Sequence, residues 1–319
     1  MGDNNFNSPF FIGHSNDKDI RLKSSSGGIG TTLIKYLLST GNYGTTLTLI
    51  FNKQICAFEP HIIHDFSEYN NCGSVYQDIN ITEFIKDNLG YIRGGMVVTC
   101  PPCQVNAIRN ILNRNNIRSF IISFSCSGQT SLEGTWCYYR LLGIKKEDVE
   151  SIQYRGNGWP SGIQIILNNG KKEYKSNWAE PWKTMHSSKL FRPARCFYCK
   201  RDSSYDSDVS LADPWLSKYI NTETIGKSLI LLNTPNGILA FQKLREEGLV
   251  DCISSTFEDY SIAQKPNLEK EQRLRAQKKS LKYELKVRNN WVYFKLVTYS
   301  LLTMRLHIRL MKLLEKIFS

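Results

Sequence analysis

The clearest pattern in the chain is a pair of apolar runs separated by a segment of helical periodicity. Residues 96–100 and 119–125 are apolar runs of strand length, and apolar positions recur at helical spacing from Pro102 to Leu112. A proline in the first turn is compatible with a helix. A strand, a helix and a strand within this length predict a right-handed βαβ crossover between parallel strands. The sequence therefore predicts an α/β fold with a parallel βαβ core.

Other segments extend this pattern. Residues 29–38 have helical periodicity, and residues 45–51 alternate as a strand does. Near the other end, residues 226–248 read as a buried strand, a turn and an amphipathic helix. Residues 151–176 alternate and contain turn sequences such as Asn168-Asn-Gly170, which is typical of antiparallel strands.

The predicted organisation is a body followed by a basic tail. We expect residues 1–265 to form one α/β domain, with an antiparallel α+β portion inserted over residues 151–190. Residues 266–319 are predicted to be a helical tail. The formal net charge is +12, and most of it lies beyond residue 264, so the body is almost neutral.

The second half of the tail, residues 291–318, mixes apolar residues with Arg and Lys as a basic amphipathic helix does. Its longest uncharged run, residues 296–304, is shorter than the roughly twenty apolar residues that span a bilayer. Such a helix can lie on a membrane surface, dock on a partner or pack on its own domain. The segment contains no nucleic-acid-binding motif, so we expect no nucleic-acid partner.

Nine cysteines supply the candidate chemistry. The polar N-terminus does not resemble a signal peptide, so we expect a cytoplasmic protein, with any membrane contact peripheral. In reducing cytoplasm, closely spaced thiols more often bind metals or catalyse reactions than form disulfides. Cys196 and Cys199 form a C-x-x-C pair. Cys103 and Cys126 follow the two predicted parallel strands, at the sheet edge where α/β folds place their sites.

The thiols leave the kind of metal centre open. Both a structural zinc and a 4Fe-4S cluster take four ligands, and thiolate suits either. Zinc ribbons hold their two pairs about 15 to 20 residues apart, whereas the numbers of Cys103 and Cys196 differ by 93. This spacing disfavours a zinc ribbon. Cys100 with Cys103 is an alternative ligand pair.

A Ser/Gly run precedes the first long helix. Ser24, Ser25, Ser26, Gly27 and Gly28 stand just before its apolar positions. Hydroxyls, backbone N–H groups and the helix dipole at such a place suit a phosphate or a pyrophosphate. An ordinary serine N-cap with no ligand is the alternative.

Together these motifs resemble, in order, those of the coenzyme F420 hydrogenase/dehydrogenase beta subunit family over about residues 20–244. Members of this family are iron–sulfur flavoproteins. The matching residues are Ser24 to Gly28, Gly73-Ser74-Val-Tyr76, Pro102-Cys103-Gln104, Cys126-Ser-Gly128, Cys196-x-x-Cys199, Ser207-Asp208-Val, Asp213 and Trp215.

The resemblance implies an oxidoreductase with a bound FAD and one 4Fe-4S cluster, in which the flavin links two-electron and one-electron transfer. It implies electron exchange between a small-molecule substrate and a ferredoxin-type carrier, a deazaflavin carrier or a partner subunit. A homo-oligomer is compatible with it. The implied cluster ligands are Cys103, Cys126, Cys196 and Cys199. The implied cofactor contacts are Ser24 to Gly28, Gly73, Ser74, Tyr76, Asp208 and Asp213.

Several positions depart from the family pattern. The chain has no cysteine before Cys56, so any second cluster is expected on another protein. Ser127 stands in place of the family histidine, and Ala212 in place of the glycine before Asp213. Asn157 stands near a position that is often lysine. These departures keep two alternatives open, a catalytically inactive scaffold and a zinc-stabilised binding module with the same fold.

Overall fold

The computed structural model describes residues 10–176, 179–187, 191–197, 199, 206–269 and 306. The strands are β1 (Phe10–Ser15), β2 (Thr45–Asn52), β3 (Ala57–Ile63), β4 (Met96–Cys100), β5 (Ser119–Phe124), β6 (Val149–Gln153), β7 (Gly162–Leu167), β8 (Lys172–Ser176), β9 (Val209–Ala212), β10 (Ser228–Leu232) and β11 (Val250–Ser255). The helices are α1 (Lys18–Lys23), α2 (Ile29–Ser39), α3 (Ile81–Asp87), α4 (Val105–Arg114), α5 (Leu132–Leu142), α6 (Trp182–Ser187), α7 (Ala194–Phe197), α8 (Ser217–Ile220), α9 (Pro235–Glu246), α10 (Phe257–Ala263) and α11 (Lys265–Leu268).

A mixed sheet in the order β11-β1-β10-β9-β5-β4-β2-β3 organises the fold. The three central pairs, β9–β5, β5–β4 and β4–β2, are parallel. The pairs that flank them are antiparallel. The predicted βαβ unit is confirmed, because β4 and β5 pair in parallel from Met96 opposite Ser119 to Cys100 opposite Ser123, with α4 between them in sequence. The predicted late strand, β10, is also present, but it runs antiparallel to both of its neighbours.

Helices cover both faces of this sheet. Successive strand residues point to opposite faces, and neighbours in β4 belong to different cores. Val97 packs with Leu33 of α2 and Phe241 of α9, whereas Val98 packs with Ile108 of α4 and Ile85 of α3. Because both faces are buried, the central strands read as continuous apolar runs. The α/β class predicted from those runs is confirmed.

A separate antiparallel sheet in the order β6-β7-β8 lies between β5 and β9 in the chain. β6 pairs with β7 in a register that sets Ser151 opposite Ile166, and β7 pairs in turn with β8. With helices α5 and α6 it encloses its own apolar core, which includes Tyr138, Tyr154 and Trp182. This second core places α6 beside the carboxyl edge of the parallel strands, where the candidate site lies.

The C-terminal part of the body ends in two short helices. Thr256 caps α10 by accepting a hydrogen bond from the Asp259 N–H at 3.1 Å. The predicted helical tail falls mostly outside the described residues, which include 266–269 and Leu306 of it. In the part of the chain that the structure describes, no helix combines the length and the hydropathy needed to cross a bilayer.

Candidate functional site

A cavity of about 820 Å³ lies at the carboxyl edge of the parallel strands. It is bounded by the ends of β4, β5 and β9, by the start of α2 and by α10 and α11. A cavity of this size at this edge of an α/β sheet is typical of cofactor and substrate sites. Eight of the predicted cofactor contacts line it: Ser24, Ser25, Ser26, Gly28, Gly73, Ser74, Tyr76 and Asp213.

The start of α2 forms one wall of the cavity. Gly28 caps the helix with φ of 80°, and no side chain caps the first turn. Gly28, Ile29, Gly30 and Thr31 all line the cavity. The first N–H groups of an α-helix have no partner within the helix, and the helix dipole favours negative charge there. This wall therefore fits a phosphate or pyrophosphate group.

The loop that contains Gly73 and Ser74 is held against the Ser/Gly run. The Ser74 N–H donates to Ser25 Oγ, and Asn71 Nδ2 donates to Ser24 Oγ at 3.3 Å. Gly73 has φ of +67°, and a Cβ there would lie 2.3 Å from the Arg155 carbonyl oxygen. Only glycine fits this backbone without a shift. Two motifs about fifty residues apart thus form one continuous wall.

Arg155 connects three parts of the wall. Its guanidinium donates to the two carboxylate oxygens of Asp213 at 2.8 and 3.0 Å and to the Ser25 carbonyl oxygen at 2.6 Å. Trp159 Nε1 also donates to Asp213, at 3.1 Å. Burial lowers the pKa of Arg155, but the charge of Asp213 and contact with Tyr76 outweigh it, so the net pKa is raised. Arg155 is therefore a permanently charged brace between the small sheet, the Ser/Gly run and the end of β9.

An aromatic group with one imidazole lines another part of the cavity. The rings of Trp182 and His186 are stacked with centroids 6.0 Å apart, and Tyr76 meets both at 5.8 and 5.6 Å. Thr130 Oγ1 lies 3.5 Å from His186 Nδ1. Burial, followed by the nearby Arg192 charge, lowers the pKa of His186 to about 4. His186 is therefore neutral at pH 7 and can donate or accept a hydrogen bond.

Two predicted cofactor contacts do not line the cavity. Gly27 is packed against strands, since a Cβ there would lie 2.4 Å from the Gly13 carbonyl oxygen. The Asp208 carboxylate accepts hydrogen bonds from Ile121 N at 2.7 Å, Arg109 at 3.0 Å and Thr234 Oγ1 at 2.7 Å. These protein donors occupy its oxygens, so its position is that of a structural brace between β5, α4 and α9.

The structure places the other three predicted ligand cysteines within electrostatic range of Cys103, and the cavity reaches one of them. Cys126 lines it, Cys103 is exposed, Cys196 is buried and Cys199 is partly buried. Burial raises the pKa of Cys103 to about 11, and the charges of Cys126, Cys199 and Cys196 contribute to this rise. Cys126, Cys196 and Cys199, from two other places in the chain, are therefore close enough to Cys103 to act on it electrostatically.

The structure also places Cys100 within electrostatic range of Cys103. Cys100 is fully buried in the core under α4, and burial strongly raises its pKa. Cys103 remains at the surface, and both residues are free thiols. Cys103 is therefore the better placed of the two to reach Cys126 and the C-x-x-C pair.

The chemistry of these thiols fits a soft metal centre, but the side chains are not arranged as a complete set of metal ligands. Among the described residues, no three His, Cys, Asp or Glu side chains adopt the arrangement of a metal site. Four neighbouring thiols nevertheless form the donor set that iron–sulfur clusters and zinc prefer. Burial is the larger cause of the raised Cys103 pKa, and the charges of the other three thiols add to it. A bound cation or cluster would favour the thiolate forms of these residues.

Sequence reasoning missed Arg155 and His186. Arg155 follows a predicted strand in a Tyr-Arg-Gly sequence that has no distinctive spacing. His186 lies on a short helix, seven residues before Pro193. The available signal was the residue type itself, because arginine and histidine side chains are rarely buried without partners. Burial, however, was not readable from this irregular part of the chain.

The fold and the cavity define a class, the α/β proteins that bind a cofactor at the carboxyl edge of a mixed sheet. A sequence profile for the C-terminal part of the coenzyme F420 hydrogenase/dehydrogenase beta subunit matches residues 94–256. The profile for the N-terminal part of the same protein matches residues 10–86. The chain belongs to the coenzyme F420 hydrogenase/dehydrogenase beta subunit family.

A solved structure has the same fold. It is a chain in the structure of the F420-reducing [NiFe] hydrogenase complex from Methanosarcina barkeri, with a TM-score of 0.62 and 17% sequence identity. The match covers 83% of this chain and 89% of that one. No curated protein sequence matches the chain.

Proposed function

We propose that this chain is an FAD-dependent, 4Fe-4S oxidoreductase subunit that passes electrons between a carrier or partner subunit and a small-molecule substrate. The observation that carries the proposal is the proximity of two features. A cavity lined by the family's Ser/Gly and Gly-Ser-x-Tyr residues reaches Cys126, whose charge acts on Cys103 together with those of Cys196 and Cys199. Family membership supports redox function.

The flavin part of the proposal rests on the shape and polarity of the cavity. The uncapped start of α2 and the hydroxyls of Ser24 and Ser25 would hold the pyrophosphate, while the Ser26 hydroxyl donates to the Lys227 carbonyl oxygen. The Gly73–Tyr76 loop would lie along the cofactor, because all of its residues line the cavity. The Arg155–Asp213 pair keeps both segments in place.

The iron–sulfur part rests on the thiols. Cys103, Cys126, Cys196 and Cys199 would hold the cluster. A bound flavin can exchange electrons in pairs or one at a time, and a cluster exchanges them singly, so the two together connect two-electron substrates with one-electron carriers. Neutral His186 can donate a hydrogen bond to a cofactor or substrate atom in the cavity. Partner subunits are consistent with the fold match to a chain of a hydrogenase complex.

Anaerobic cofactor analysis tests this proposal. Purified without oxygen, the full chain should contain one flavin and about four irons, the number in one such cluster. Cys199→Ser should lose most of the iron. Cys252→Ser, a partly buried cysteine on β11, is the matched control and should keep it.

Other results would support the competing functions. A colourless protein with one zinc per chain would identify the zinc-stabilised binding module and exclude the redox proposal. A protein that binds flavin but is neither reduced by dithionite nor reoxidised by acceptors would identify an inactive scaffold.

A further inference from the structure

Helices α10 and α11 connect two loops of the cavity wall. Gln264, between the two helices, is 4% exposed, and its Nε2 donates to the Asp213 carbonyl oxygen at 2.7 Å. Asn267 Nδ2 donates to Gln264 Oε1 at 3.0 Å and to Ser125 Oγ at 3.3 Å. Asp213 follows β9, and Ser125 follows β5 just before Cys126. We call residues 257–268 the strap, because they join the ends of two neighbouring parallel strands.

The strap also forms the rim of the cavity. Ile262, Ala263, Gln264, Pro266 and Asn267 line it. Ile262 is 56% exposed, so its side chain is both at the cavity and open to solvent. A large apolar residue in that position lies where a ligand enters. Trp215, also at the cavity, packs on Trp159 with ring centroids 4.7 Å apart and gives this end a rigid aromatic surface.

The strap lies outside the residues that the family profiles match, which end at residue 256. The phosphate-binding start of α2 and the thiols lie inside them. The part of the site within the matched residues would therefore hold the cofactors, and the strap adds a wall that those residues do not provide. Its amide groups are engaged with Asp213, Ser125 and each other, so they hold this wall in place rather than contact a ligand.

We propose that the strap selects substrates by size. In this proposal Ile262 is the specificity-determining residue at the entrance, and Gln264 and Asn267 are positioning residues that fix the strap to Asp213 and Ser125. The inference rests on the proposed function for its substrate, while the mechanical role of the strap stands on the hydrogen bonds alone.

Acceptors of graded size test the entrance. The dithionite-reduced full chain is mixed with 1,4-benzoquinone or with the three-ring 9,10-phenanthrenequinone. Each quinone takes two electrons and two protons from the reduced protein and leaves as the hydroquinone. Ile262→Trp should lower the rate with the larger quinone relative to the smaller one by about tenfold, the lower end of steric discrimination in a pocket. Ile262→Ala should shift the ratio the other way.

The matched control is Ile253→Trp. Ile253 on β11 is 57% exposed, about the same as Ile262, but does not line the cavity, and this variant should leave the ratio unchanged. A ratio that is the same in all four proteins, or that Ile253→Trp moves as far as Ile262→Trp, overturns the proposal.

Hydrogen exchange provides a readout that needs no turnover. Gln264→Ala should speed amide exchange in residues 257–268 and 213–216 and leave the β6–β8 sheet unchanged, because the lost bond joins only the first two segments. Unchanged exchange in residues 257–268 would contradict the strap itself. If wild type lacks flavin, the proposed function fails, and exchange still decides whether the strap exists.

Discussion

The most constrained single residue in the site is Arg155. Its guanidinium and the Asp213 carboxylate are both largely buried and bonded to each other twice. Breaking such a pair from one side leaves an uncompensated charge, which costs about 3–5 kcal/mol. The brace also fixes the Ser25 carbonyl, so its loss should affect both folding and the cavity wall.

We expect Arg155→Leu to lower the free energy of unfolding by about 3 kcal/mol, because Asp213 is left without its cation. Urea titration of the variant and wild type measures the difference. Lys218→Ala is the control, since its pair with Asp259 is half exposed and should change stability by less than about 1 kcal/mol. Equal effects of the two substitutions would contradict the assignment of Arg155 as a brace.

Gly73 has a stricter requirement than positive φ alone. Gly73→Ala should weaken flavin binding and destabilise the chain, because the new methyl group would meet the Arg155 carbonyl oxygen. Gly170 also has positive φ, of +80°, but no atom lies within 4 Å of a Cβ there, so Gly170→Ala isolates the backbone strain of about 1–2 kcal/mol. If both variants bind FAD equally well in a titration of the apoprotein, Gly73 does not shape the cavity.

The His186 imidazole makes the free energy of unfolding depend on pH. Its pKa in the folded chain, about 4, lies below the ordinary value of 6.5, so between these values the unfolded state binds more protons. Stability should therefore fall as the pH falls from 6.5 to 4, by up to about 3 kcal/mol. In His186→Gln this part of the loss should disappear, whereas His61→Gln, at an exposed site on β3, should retain it. Identical pH profiles in wild type and His186→Gln would contradict the burial of a neutral imidazole.

At the scale of elements, the local sequence pattern predicted the helices and strands that depend on residues close together in the chain. The βαβ unit was readable because β4 and β5 are continuous apolar runs and α4 has one apolar face. The position of β1 was not readable, because its antiparallel pairing with both β10 and β11 joins residues more than 200 apart. Pro266, predicted to mark the end of the body, lies inside α11. Proline is accepted in the first turn of a helix, so it does not end one there.

Asp208 is a motif residue whose carboxylate accepts hydrogen bonds from neighbouring strands and helices of the protein. Asp208→Asn should destabilise the chain by about 1–3 kcal/mol, because the Oδ2 atom that accepts from Ile121 and Arg109 loses its charge. The folded variant should bind FAD with unchanged affinity, measured by titration below its unfolding transition. A large loss of affinity with unchanged stability would return Asp208 to the cofactor site.

At the scale of the whole molecule, the candidate site depends on topology. The sheet order brings β4, β5 and β9 side by side, so the segments that follow these strands, which carry Cys103, Cys126 and Asp213, approach one edge. Sequence reasoning predicted that edge and eight of the cavity residues. It missed Arg155 and His186, because their roles arise from the small sheet and from α6 packing against the cavity.

The central claim, that four distant thiols share one iron–sulfur centre, is tested most directly by Mössbauer spectroscopy of the iron-57-labelled full chain. The account predicts the spectrum of a single 4Fe-4S cluster in wild type and in Cys100→Ser, and its loss in Cys126→Ser. Retention of the full cluster in Cys126→Ser, with loss in Cys100→Ser, would contradict the proposed ligand set. Absence of iron from the anaerobically purified wild type would contradict the claim as a whole.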